Sequence, residues 1–115
     1  MTGRVLVRHI LLATDFSASS DAALRVARDY ARHFGARLHI LHVVPSGGEP
    51  IVPPSLSKLA QDLGSNLSIR TAVESGSPAS EIVRYAERHG VDLIVVGTHG
   101  RTGVTRALLG SVAER

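Results

Sequence analysis

The segment Leu93-Ile94-Val95-Val96-Gly97-Thr98-His99-Gly100-Arg101-Thr102-Gly103, followed by Gly110-Ser111, decides the fold. Four successive apolar residues read as a strand, and the glycines behind them read as a loop at its carboxyl end. Glycine has no Cβ and tolerates positive φ, so such a loop brings bare backbone close to a ligand. Several N–H groups can converge there on an anion. Gly110-Ser111 reads as a helix start, where free N–H groups and the helix dipole favour phosphate. The spacing Gly97-x2-Gly100-x9-Gly110-Ser111 is therefore a candidate phosphate cradle. It is not a Walker loop, because no Gly-Lys-Ser/Thr follows. Nor is it the dinucleotide fingerprint, which has another glycine spacing and an early position.

Outward from this segment the chain alternates strands and helices. Arg8–Ala13 reads as the first strand. Ser20–Phe34 reads as a helix, with Ala23, Val26, Ala27, Tyr30, Ala31 and Phe34 recurring on one face. Ser19 or Ser20 caps its start and Gly35 ends it. Arg37–Val44 is the second strand, Pro45–Pro54 a loop, Ser55–Leu63 a short helix and Ser68–Glu74 the third strand. Ser77-Pro78 reads as the N-cap and first-turn proline of a helix that buries Ala79, Ile82, Val83 and Ala86 and ends at Gly90. Asp92–Val96 is the fourth strand. This alternation implies a single α/β domain over residues 1–115, an open parallel sheet with helices on both faces and right-handed crossovers.

Composition agrees with that architecture. Of the 115 residues, 43% are hydrophobic and only 3% aromatic, so the core is built from Ala, Val, Leu and Ile, as in a sheet covered by helices. There is no cysteine, hence no disulfide framework and no thiolate metal site. No apolar run approaches the roughly 18 residues of a membrane span, and no signal-peptide pattern opens the chain. The expectation is a soluble cytoplasmic protein without a membrane partner. The net charge of +3 favours anionic partners in general. Acids interrupt the basic residues and aromatic residues are scarce, which argues against nucleic acid. His39 and His42 alternate to opposite faces of a strand, and His9, His33 and His89 lack ligand-like spacing, so no dedicated metal site is expected.

Several stretches, in order, resemble the universal stress protein family, and specifically its ATP-binding branch. The glycine pattern is one. Ile10-Leu11-Leu12-Ala13-Thr14-Asp15-Phe16-Ser17 looks like the family's first strand and acidic turn, and Leu38-His39-Ile40-Leu41-His42-Val43-Val44 like its second strand. Glu74-Ser75-Gly76-Ser77-Pro78 and Asp92-Leu93-Ile94-Val95-Val96-Gly97 look like its later landmarks. The resemblance implies an adenine nucleotide alpha hydrolase-like sheet of strand order 3-2-1-4-5. Strands one and four then lie side by side where the winding reverses, the place at which open parallel sheets bind ligands.

The sequence departs from the family at two places. The helix after the second strand is short, and the chain stops at Glu114-Arg115 as a last helix begins. The expected order is therefore 3-2-1-4, with a C-terminally shortened domain, no fifth strand and an open edge on strand four. Leu93-Ile94-Val95-Val96, apolar and free of proline and lysine, is an edge that pairs readily with another chain. A homodimer covering it follows as an expectation.

The resemblance also implies the site. Ala13 and Thr14 border the base and Asp15 accepts from a ribose hydroxyl, although an acidic residue there is also an ordinary helix cap. Val43 offers its backbone amide and carbonyl to adenine, although Val43 and Val44 are by default core. The Gly97 backbone meets ribose, and Gly100, Arg101, Gly110, Ser111 and Val112 surround the phosphates. His99 stands in the same loop, either solvated or donating to phosphate. Arg106 reads as an exposed helix arginine. The ligand is ATP, or ADP or AMP, with Mg2+ arriving on its phosphates. No nucleophile with a matched base is evident, and the resemblance implies hydrolysis that is slow at most. The function implied is a stress-response binding module read by an unknown protein partner. A slow ATPase or adenylate-handling enzyme, and an interaction protein with a degenerate pocket, are the alternatives.

If the glycine loop cradles phosphate, Gly100→Val abolishes nucleotide binding in calorimetry while changing stability by no more than about 1–2 kcal/mol. Normal ATP binding by that variant would make the loop a plain turn.

Overall fold

Ile10, Leu11 and Leu12 are all fully buried, so the first strand, β1 (His9–Ala13), is covered on both faces. That is the signature of a central strand in a helix-covered parallel sheet. The structure is a computed structural model that describes residues 6–64, 66–97 and 105–109. After β1 come α1 (Ala18–Phe34), β2 (Arg37–Val44), α2 (Pro54–Asp62), β3 (Ile69–Ser75), α3 (Pro78–His89), β4 (Leu93–Gly97) and β5 (Thr105–Leu109). The sheet order is β3-β2-β1-β4-β5. β1 pairs in parallel with β2 and β4, and β2 in parallel with β3. The four-stranded parallel order 3-2-1-4 is thus the one expected.

Period-two alternation divides the core into two layers. On one face Ile10, Leu12, Leu38, Ile40 and Val95 pack with Ala23, Ala27 and Ala31 of α1 and Leu56 of α2. On the other, Leu11, Leu41 and Ile94 pack with Tyr85 and Ala86 of α3. Among the described residues, no helix is long and apolar enough to cross a membrane.

The helices sit slightly differently from the sequence reading. α1 starts earlier, with Ser17 as N-cap accepting from the Ser20 amide, and ends at Gly35 in the left-handed conformation. Its buried stripe is Ser20, Ala23, Leu24, Ala27 and Ala31. Tyr30 and Phe34, expected on that stripe, are over a third exposed and stack on each other. Alanines at the contact let the helix lie close to the sheet, which leaves no room for two rings. In α3 the inward residues are Glu81, Tyr85 and Ala86, while Ala79 and Val83 face outward.

β5 corrects a larger expectation. Residues 105–109, read as the approach to a helix, run antiparallel along β4, from Gly97↔Thr105 to Leu93↔Leu109. Arg106 is accordingly a strand residue. The apolar edge of β4 presents a row of unpaired N–H and C=O groups, and the nearest segment in sequence satisfies them. The edge expected to be open for a dimer is therefore occupied, and the outer strands of the described sheet are β3 and β5.

Gly97, at the end of β4, lies under the first turn of α1. A Cβ there would collide with the Ser19 carbonyl group and stand 2.9 Å from the Ser20 nitrogen. The obstacle is backbone, which yields poorly. Gly97→Ala should therefore destabilise the domain by about 1–3 kcal/mol, the usual scale for overpacking. Urea denaturation measures this, and an unchanged midpoint would show that α1 moves aside without cost.

Candidate functional site

The crossover to β2 leaves β1 in one direction and the crossover into β4 arrives from the other, so the chain opens a crevice at the carboxyl ends of β1 and β4. A cleft of about 330 Å³ lies there. Ala13, Thr14 and Asp15 enter it from β1, Val43 from β2 and Gly97 from β4. Ser20 of α1, Pro78 and Ile82 of α3 and Val96 form the remaining wall. Five candidate residues from three separate stretches of the sequence thus meet in one place. His99, Gly100, Arg101, Gly110, Ser111 and Val112 lie outside the described residues. Leu109, which precedes Gly110, pairs with Leu93 at the far end of β4, roughly 13 Å along the strand from Gly97.

The loop from Thr14 to Ser17 is tied down residue by residue. Phe16 takes φ 65°, the left-handed region in which a bulky side chain costs about 1–3 kcal/mol. Three interactions hold it. The Phe16 amide donates to Thr14 Oγ1 at 3.0 Å, the Ser17 amide donates to Asp15 Oδ1 at 3.0 Å, and the Phe16 ring lies against His42 with centroids 4.6 Å apart. The Ser20 hydroxyl also donates to Asp15 Oδ1, at 2.8 Å. Asp15 therefore braces the N-cap residue Ser17 and Ser20 at the start of α1, and is at the same time an exposed residue at the mouth of the cleft. Gly97 has a packing reason for being glycine as well as a place in the cleft wall.

The end of β2 has unused backbone. The paired register of β1 and β2 stops at Ala13↔Leu41. One further bond, from the Thr14 amide to the Leu41 carbonyl, is 2.8 Å long. Successive residues of a strand turn their N–H and C=O groups to opposite edges. Leu41 and Val43 therefore face the β1 side. Val44 faces β3, where its carbonyl accepts from the Gly76 amide at 2.9 Å. The Val43 amide and carbonyl point past the end of β1, toward the cleft.

The sequence matches the profile described as "Universal stress protein family" over residues 7–65 and 55–115. The chain belongs to the universal stress protein family. A universal stress protein of Methanocaldococcus jannaschii is 36% identical, the match covering 98% of this chain and 77% of that protein. The crystal structure of a universal stress protein from Archaeoglobus fulgidus matches with a TM-score of 0.72 at 29% identity, over 84% of this chain and 34% of that longer one. A universal stress protein solved in complex with cAMP shares the fold, with a TM-score of 0.66 at 22% identity over 80% of this chain and 77% of that one.

This member of the family also carries a cluster that spacing along the chain does not reveal. At the opposite, amino-terminal end of the sheet, the ring of the fully buried His39 on β2 bridges two partners. His39 Nε2 is 3.0 Å from His9 Nδ1, and His39 Nδ1 is 2.7 Å from the Tyr85 hydroxyl. His89 lies against Tyr85, with centroids 4.1 Å apart. His9, His39 and His89 come from three elements, so no motif links them. The one available signal was His39 alternating onto the same face as Leu41, under α3. His42 sits on the other face, as alternation requires. Among the described residues the cluster does not form a metal-holding group.

Burial, then the charges of His9, His89, Arg70 and Arg37, push His39 down from 6.5 to about 4. His89 is lowered and Tyr85 raised, each chiefly by burial. The fold thus holds His39 neutral. Its contribution is complete above pH 6.5 and is lost as the pH falls toward 4, about 3 kcal/mol in all. Urea denaturation at a series of pH values should show this loss, and His39→Leu should flatten it. An equal pH dependence in that variant would assign the effect to other groups.

Proposed function

We propose that this domain binds an adenine nucleotide, ATP above all, in the cleft between β1 and β4. The observation that carries the reading is the convergence there of Ala13, Thr14, Asp15, Val43 and Gly97. Membership of the universal stress protein family supports it, and a fold neighbour is known as a cAMP complex. The cleft volume, about 330 Å³, falls within the range of small-molecule sites and suits a nucleoside better than a whole triphosphate.

On this reading Val43 meets adenine with its backbone amide and carbonyl, which match a ring nitrogen acceptor and an exocyclic amine donor. Ala13 and Thr14 border the base, with Ile82 across from them. Asp15 accepts from a ribose hydroxyl. The phosphates fall to the glycine pattern, with Gly100, Arg101, Gly110, Ser111 and Val112 around them and His99 beside them. Arginine suits phosphate because its donors are fixed in a fork. Magnesium would come with the phosphates, on their oxygens. The domain acts as a nucleotide-dependent binding module for a protein partner in the cytoplasm, with hydrolysis slow at most. With the edge of β4 taken by β5, assembly as a homodimer would use another surface, and light scattering tests it.

Calorimetry should show ATP binding in the micromolar range and much weaker GTP binding. Guanine reverses the donor and acceptor pattern of adenine's edge, leaving polar groups unpaired at about 1–3 kcal/mol each. Absent ATP binding, or equal binding of GTP, would overturn the proposal.

A further inference from the structure

We infer that His42 keeps the end of β2 open for a ligand, by taking the Thr14 carbonyl that would otherwise pair with Val43. The inference rests on the nucleotide reading of the cleft for its consequence, but on geometry for its mechanism.

In a regular parallel ladder a residue that donates to one partner carbonyl accepts from the amide two residues further along that partner strand. Thr14 makes the first of these bonds, its amide donating to the Leu41 carbonyl at 2.8 Å. The second would run from the Val43 amide to the Thr14 carbonyl. That second bond is absent, and the Thr14 carbonyl is turned to the His42 ring instead, with Nδ1 2.9 Å from its oxygen. A carbonyl only accepts, so Nδ1 carries the proton. The paired register correspondingly ends at Ala13↔Leu41 and does not continue to Thr14↔His42.

Two consequences meet in the cleft. The Val43 amide and carbonyl stay available, forming a donor and acceptor pair at the position where the reading puts the base. The Thr14 backbone is also held from β2, while the same imidazole lies against Phe16, the residue at φ 65°. His42 therefore sets both the free edge of β2 and the path of the loop that carries Asp15. It does not line the cleft. It is a positioning residue.

The test compares His42→Leu with His42→Asn. Asparagine can place its Nδ2 donor close to where imidazole Nδ1 stands, and leucine has no donor. Amide exchange is measured on the nucleotide-free protein. In the native chain the Val43 amide should exchange far faster than the Leu41 amide. In His42→Leu the ladder extends, so Val43 exchange should slow at least tenfold, while His42→Asn should keep it fast. ATP and adenosine affinities should each fall roughly tenfold in His42→Leu, the equivalent of one hydrogen bond, and recover in His42→Asn. A Val43 amide already protected in the native chain, or unaffected by His42→Leu, would overturn the inference. So would equal ATP affinity in the native and His42→Leu proteins, or a loss in His42→Asn as large as that in His42→Leu. If the native chain binds no nucleotide while the exchange pattern holds, the nucleotide reading fails and the ladder mechanism stands.

Discussion

The first turn of α1 rests directly on the end of β4, at a residue that has no side chain to hold it away. A Cβ on Gly97 would meet the Ser19 carbonyl and the Ser20 nitrogen. This approach fixes how α1 leaves β1, because Ser17, Ser20 and Asp15 are joined by hydrogen bonds within the same turn. The position of Asp15 at the cleft, the left-handed Phe16 and the alanine stripe of α1 against the sheet all depend on it. A larger residue at position 97 would push the helix off the sheet and open the crevice from beneath.

The two ends of the sheet are built on different principles. At the carboxyl end, polar groups are left accessible: the Asp15 carboxylate is exposed, and the Val43 backbone points past the last residue of β1. At the amino end, polar groups are used up among themselves. His39 satisfies both ring nitrogens with His9 and the Tyr85 hydroxyl, and the Asp92 carboxylate accepts from the backbone amides of Arg8 and His9. A closed network specifies and stabilises a packing, whereas polar groups that remain accessible at a concave surface are what a ligand needs. α3 spans both regions, with Pro78 and Ile82 at the cleft and Tyr85 and His89 over the histidine cluster.

The departures from the sequence reading have local causes. Tyr30 and Phe34 fit the helical period as well as Ala27 and Ala31 do, and only the closeness of α1 to the sheet sends them outward. Residues 105–109 carry no strong strand signal. They become a strand because the edge of β4 offers hydrogen bonds that solvent or another chain would otherwise have to supply. Ser17, rather than Ser19 or Ser20, caps α1, because Ser20 is drawn inward toward Asp15. Short polar runs offer several equivalent caps, and tertiary contacts choose among them.

By itself the sequence determined the alternation of strands and helices, through periodicity, cap residues and glycines whose spacing is read along one chain. The motifs in their order carried the resemblance to the family, and that resemblance implied the parallel order of the first four strands. The same resemblance pointed to Ala13, Thr14, Asp15, Val43 and Gly97, all at or beside strand ends. Only the tertiary structure decided that these five share one cleft, that Gly97 is required by α1, that His42 takes the Thr14 carbonyl, and that His9, His39 and Tyr85 form a chain of hydrogen bonds. Each of those facts joins elements brought together by the crossovers, with His42 and Thr14 28 positions apart in sequence and His39 and Tyr85 46 positions apart. Local patterns determine which elements form, and the packing of one element on another determines which of their groups meet.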